Sequence, residues 1–130
     1  MKNLRLLIVT TILLISATSC FQQKSEDFST FWKSYKSDLS FQKQRTVFPL
    51  PYSYYDFDSD EEAMITEQIQ EKEWVFQDFQ SDVESRVEIE QNNDNYEVWR
   101  RGNENGISVV FIFSQREGRW YLTQVFDYSD

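Results

Sequence analysis

The stretch Ile107–Tyr128 limits the possible folds more than any other part of the chain. It reads Ile-Ser-Val-Val-Phe-Ile-Phe, then Ser-Gln-Arg-Glu-Gly-Arg, then Trp-Tyr-Leu-Thr-Gln-Val-Phe-Asp-Tyr. Both arms are rich in β-branched and aromatic residues and the polar run between them holds Gly118, which predicts a β-hairpin with a short loop. In the first arm Val109, Phe111 and Phe113 share one parity, while Val110 and Ile112 fall on the other. A strand that is apolar on both faces is covered on both. The hairpin is therefore expected at the centre of a curved sheet, with the upstream chain as its cover.

Upstream of it, Val83, Ser85, Val87 and Ile89 alternate with Glu84, Arg86, Glu88 and Glu90, the pattern of a half-buried strand with one wet face. Asn92–Asn95 reads as a turn, Tyr96–Arg101 as the next strand, and Gly102–Gly106 as its end. These segments and the hairpin predict a four-stranded antiparallel meander. Nearer the amino terminus, Phe28, Phe31, Trp32, Tyr35 and Leu39 recur at helical spacing and predict one apolar stripe, with Ser25 or Asp27 as cap. Ser37 or Asp38 would cap a second short helix through about Gln44. Val47–Tyr55 reads as a strand whose two prolines, Pro49 and Pro51, leave one side unpaired, so an edge position is expected. On it Phe48, Leu50, Tyr52 and Tyr54 share a face and would cover the core. Ala63–Gln80 is divided into a strand to about Gln70 and a helix from Glu71 through Phe79 that carries Trp74, Val75 and Phe79.

Composition narrows the chemistry. The chain has 130 residues, enough for one domain with a useful core. Its 13 Lys and Arg stand against 22 Asp and Glu, a net charge of -9 that repels phosphate backbones, so no nucleic acid partner is expected. There is no His, which removes the side chain most used for proton transfer near neutral pH and the commonest zinc ligand. The single Cys excludes an internal disulfide. Neither a metal nor a cofactor is expected. The acidic run from Asp56 to Glu62, with Glu67 twelfth from Asp56, resembles a calcium loop. It carries Glu61 where the sharp turn needs Gly, and a solvated acidic turn between two strands explains the same residues.

Met1–Arg5 carries Lys2 and Arg5, Leu6–Ile15 is apolar apart from Thr10 and Thr11, and Ser16-Ala17-Thr18-Ser19-Cys20 follows. A basic start, a short apolar core and small residues define a signal peptide. Ala17 to Cys20 resembles the lipobox of bacterial lipoproteins, with Ala17 where Leu is usual. The organisation read from this is signal peptide at 1–19, lipidated Cys20 and tether at 20–26, and domain at 27–130. Ordinary secretory cleavage would instead leave Cys20 as an exposed thiol, a liability in an oxidising compartment. Loss of Lys2 and Arg5 would take the net charge to -11. The lipid, palmitate included, would then be the membrane anchor, since so acidic a domain gains nothing from anionic headgroups. Phe21 after the Cys fits outer-membrane sorting, facing the periplasm or the cell surface.

The predicted order of helices, early strand pair, third helix and four long strands resembles the nuclear transport factor 2-like fold, also called cystatin-like or SnoaL-like. This is an α+β cone with amino-terminal helices packed on a curved antiparallel sheet. Phe28–Leu50, with its Phe-x-x-Phe, Ser-Asp, Phe-Gln, Arg45 and Phe48-Pro49-Leu50, resembles an uncharacterised family of bacterial envelope lipoproteins, domain of unknown function 4348. The resemblance implies a cavity at the open end of the cone and transfers no catalytic residue. Three functions fit. The first is a non-catalytic module binding a small hydrophobic ligand or an envelope protein, with Tyr54, Trp74, Trp99 and Trp120 as contact candidates, though large aromatics are mostly there to be buried. The second is a structural accessory of an envelope complex. The third is a carboxylate-based isomerase or cyclase in which Asp127 works with Tyr121 or Tyr128.

Overall fold

The computed structural model describes residues 24–58 and 63–130. Residues 1–23, where a signal peptide, the lipidated Cys20 and the start of a tether are expected, lie outside the described residues, as do 59–62 in the acidic run. The chain folds as α1 (Phe28–Tyr35), α2 (Leu39–Gln44), β1 (Leu50–Asp56), β2 (Ala63–Ile69), β3 (Ser85–Asn92), β4 (Asn95–Gly102), β5 (Ser108–Arg116) and β6 (Arg119–Asp127). One six-stranded sheet runs β2-β1-β6-β5-β4-β3. The β5–β6 hairpin is therefore central, as expected. Its two-residue turn has Glu117 at φ 51 and Gly118 at φ 74, the doubly left-handed geometry that matches strand twist.

Burial explains why the helices sit where they do. An isolated eight-residue helix is unstable in water, and α1 is held by its apolar stripe: Phe28, Phe31, Trp32 and Tyr35 are all buried. Each such side chain contributes roughly 1.5–3 kcal/mol on burial. They meet Phe113 of β5, whose ring lies 5.0 to 5.9 Å from those of Tyr35, Phe31, Trp32 and Phe28. The Asp27 carboxylate accepts from Thr30 N at 2.8 Å and caps α1. Asp38 does the same for α2 through Phe41 N at 2.9 Å. On the other face of β5, Val110 is buried between its cross-strand neighbours Trp99 and Phe126.

Five expectations are corrected. The sheet is mixed rather than antiparallel, because β1 joins β6 in parallel over Tyr52–Tyr54. That makes β1 interior and β2 an edge. The prolines permit this because Pro49 precedes the strand and Pro51 lies before the residues that pair with β6. Leu39 does not extend the α1 stripe; it opens α2 and is exposed, since the chain turns at Lys36–Asp38. Val83 is 92% exposed and outside β3, because its neighbour Asp82 folds back to accept from Glu84 N and Ser85 N. Finally, the helix over Glu71–Phe79 is a single 3-10 turn at Glu71–Glu73, followed by extended chain. Trp74 and Phe79 are buried while Val75 is exposed, and five-residue spacing does not make a helical face.

Glu26 is tied into the domain at the hairpin turn. Its backbone N–H donates to Gly118 O at 2.8 Å, and its carboxylate accepts Trp120 N at 2.9 Å. Two Arg45 nitrogens complete a fork at 2.8 and 2.9 Å. Burial pushes the Glu26 carboxyl up, but the Arg45 and Trp120 donors outweigh it and hold it below its ordinary value of 4.5. A depressed carboxyl adds stability above its unfolded pKa that is lost as pH falls through the folded one. Urea midpoints are therefore expected to fall below about pH 4.5, and Glu26→Gln is expected to make that fall shallower. An unchanged slope would show that the fork does not contribute.

Candidate functional site

The sheet's concave face carries a cavity of about 210 Å3 at the end away from the β5–β6 turn. Val109, Phe111 and Val125 form its apolar floor, with Ile69 and Trp74 at the side. Tyr52, Gln77, Arg100 and Asp127 supply its polar groups. Register places them. Arg100 pairs with Val109, Val109 with Asp127, and Asp127 with Tyr54, so one row across four strands sets a cation and an anion on either side of Val109. At strand spacings of about 4.8 Å the two charged residues are roughly 10 Å apart along the backbone.

Asp127 accepts a hydrogen bond from Tyr52 Oη at 2.6 Å and another from Ser129 N at 2.9 Å. Burial works against its charged form, but the Ser129 and Tyr52 donors win, and the carboxyl stays below the ordinary aspartate value. Burial and the neighbouring Asp127 charge raise the Tyr52 phenol. At neutral pH the pair is therefore a phenol donating to a carboxylate. Arg100 donates from Nη1 to Ser85 Oγ at 3.2 Å and from Nη2 to the carbonyl of Asp78. Among the described residues it has no ion-pair partner, whereas Arg45 and Arg86 each have one and Arg101 has two.

The roof is positioned by a residue outside the cavity. Gln42 of α2 is fully buried; its Oε1 accepts from Trp74 Nε1 at 3.3 Å and Gln77 N at 3.0 Å, and its Nε2 donates to Gln77 O at 2.9 Å. The backbone N–H and C=O of Gln77 thereby find their partners in a side chain 35 positions away rather than in a helical turn. Three larger surface grooves lie elsewhere: one of about 700 Å3 at the hairpin turn, one of about 550 Å3 beside the end of α1, and one of about 370 Å3 on the Tyr54 side of Asp127. Two carboxylates of the first are already engaged, Glu26 by Arg45 and Asp27 by the α1 cap.

Of the four contact candidates, the structure brings one to the cavity and one to its neighbour. Trp74 is its wall, whereas Tyr54 lines the adjoining groove of about 370 Å3 that shares Tyr52 and Asp127 with it, its phenol donating to Glu67 at 3.1 Å. Trp99 is on the opposite face of the sheet, 4.0 Å beneath the Arg101 guanidinium. Trp120 is buried at the hairpin end, edge-on to Phe28 and Tyr96, with its indole N–H donating to Glu26 O. Asp127 does face inward, but its phenol is Tyr52, not Tyr121 or Tyr128. A bulge at Ile112/Phe113 leaves Thr123 unpaired and reverses the parity of β6 between Tyr121 and Asp127. Arg100 was legible from parity alone, since it sits two residues after the fully buried Val98. Register bears on the two readings of the acidic run: Asp56 pairs with Ala63 and Tyr52 with Glu67, so the first and twelfth positions of the calcium-loop pattern are about 13 Å apart along the hairpin, too far to share one ion.

A six-stranded mixed sheet with two short helices against its concave face is the nuclear transport factor 2-like, or cystatin-like, fold. No family model and no curated protein matches the chain. Solved structures share the fold. A nuclear transport factor 2-like protein from Bacteroides fragilis NCTC 9343 aligns with TM-score 0.62 and 21% identity over 84% of this chain. The chain spans 50% of that protein's length. A cystatin-like protein from Bacteroides caccae ATCC 43185 aligns with TM-score 0.59 and 22% identity, covering 80% of this chain and 77% of its own. A protein from Bacteroides uniformis ATCC 8492 aligns with TM-score 0.55 and 25% identity over 82% of this chain and 78% of its own.

Proposed function

We propose that the chain is an envelope lipoprotein, of the family known as domain of unknown function 4348. In this reading acylated Cys20 anchors it to the outer membrane and its cone is a non-catalytic module for a small molecule. One observation carries the binding reading: an apolar cavity that keeps a cation without an ion-pair partner among the described residues, Arg100, and a charged carboxylate, Asp127, on one wall. Cavities of that composition are the usual sites for small ligands. The pKa of Asp127 supports binding over catalysis. A general base works best with a pKa near the operating pH, and this carboxylate is held below the ordinary range.

The accessory-subunit reading has its own support on the outer face of the sheet. Tyr55, Phe57 and Tyr128 are exposed there, with rings about 6 Å apart in succession, and Trp99 stacks on Tyr128. Clustered exposed aromatics mark contact surfaces. Native mass spectrometry of the full chain, extracted gently in detergent from its own envelope, separates the two. A diacylglyceryl and acyl mass on Cys20 with one discrete small molecule is expected. A chain without the acyl mass would overturn the anchor, and one recovered bare or with a protein would favour the accessory reading.

A further inference from the structure

We infer that the cavity ligand is a small monocarboxylic acid built on one ring, with a hydrogen-bond donor at the end opposite its carboxylate. This rests on the binding-module reading and names what that module would hold. Three observations select the class. The cavity, at about 210 Å3, falls below the roughly 300–1,000 Å3 of drug-sized sites. It equals about seven waters at ~30 Å3 each, space for one substituted ring. Its floor of Val109, Phe111 and Val125, facing the indole of Trp74, suits a flat apolar body.

The polar ends then fix the chemistry. Arg100 is already oriented by two neutral acceptors, Ser85 Oγ and the Asp78 carbonyl, and among the described residues no carboxylate pairs with it directly; Asp82, engaged by Ser85, feels its charge only from farther off. A guanidinium has five N–H donors and is shaped to grip a carboxylate. Across Val109, Asp127 is an acceptor whose two oxygens hold Tyr52 and Ser129 and retain lone pairs. It attracts a ligand hydroxyl and repels a second acid. The two residues stand roughly 10 Å apart at the backbone, and with their side chains turned into the cavity the gap suits a single ring bearing groups at opposite ends.

The test uses the full chain in detergent micelles and a set of probes: 4-hydroxybenzoate, its neutral amide, benzoate, and terephthalate as the diacid. Affinity is read by titration calorimetry and by the change in tryptophan emission from Trp74. The wild-type chain is expected to bind 4-hydroxybenzoate at least tenfold more tightly than the amide or the diacid, with benzoate between. Arg100→Gln should abolish the preference for acid over amide. Asp127→Asn should narrow the gap between diacid and monoacid without touching Arg100, so the proposal stays testable if Arg100→Gln fails to fold. Equal binding of acid and amide would overturn the ligand class and leave the binding module standing. No binding of any probe by a folded chain overturns the class as well. The binding module itself then falls only if native mass spectrometry also finds no small added mass.

Discussion

Phe113→Ala is expected to destabilise the domain by about 3–5 kcal/mol, the cost of removing a large aromatic from a site that cannot collapse around the gap. Phe113 is fully buried and lies within ring-contact distance of all four residues of the α1 stripe. Its neighbours are themselves rigid rings, so none can move in to fill the hole. Domains of this size have only roughly 5–15 kcal/mol in total, so the loss would take much of the stability. Chemical denaturation with an unchanged slope and a midpoint lowered accordingly would meet the expectation. A loss below about 1.5 kcal/mol would mean that α1 is not held by this hub. Phe113→Leu, which keeps most of the volume, should cost clearly less.

Gln42→Ala tests a different kind of support. The amide group of Gln42 is the shared partner of Trp74 Nε1, Gln77 N and Gln77 O. Removing it leaves three polar groups that the extended chain cannot satisfy from within. Each unpaired buried group costs about 1–3 kcal/mol, and water reaches Gln77 in part, so a total of about 2–4 kcal/mol is expected. Hydrogen exchange should separate this from a general loss. The Gln77 amide should lose protection much more than the β5 and β6 amides do, because the roof alone comes loose. Equal loss everywhere would show that Gln42 supports the whole core rather than the roof. Gln42→Glu would be instructive beside it: it keeps the acceptor but loses the donor to Gln77 O and buries a charge.

These two residues also mark what could be read in the sequence. Phe113 and the α1 stripe were legible because their burial follows local periodicity, 2 in a strand and 3.6 in a helix. The hairpin was legible for the same reason, down to its place at the sheet's centre. The Trp74–Phe79 segment was not. Its shape comes from Gln42, far away in the chain, and its aromatic residues mimic a helix pattern while serving an extended one. Pro51 misled in a similar way, because whether a proline costs a hydrogen bond depends on where the neighbouring strand begins, and β6 joins only at Tyr52. At the site, Asp127 was singled out with the wrong phenol. Simple alternation would put Tyr121 on its face, and one extra residue in β6 reverses that. The true partner, Tyr52, comes from a strand 75 positions earlier, a pairing no local pattern announces.

The knot of bonds among Glu26, Arg45, Gly118 and Trp120 has a consequence for how the protein would stand on a surface. Glu26 is clamped at the turn end of β6, and Asp127 closes the same strand at its other end, about 25 Å away. Five residues separate Glu26 from Cys20, a reach of no more than about 20 Å. A chain anchored at Cys20 would thus be held by the hairpin tip, with the long axis of its central strands rising from the bilayer. The opening between Arg100 and Asp127 would face outward, toward whatever diffuses past, and the anionic headgroups would lie behind it.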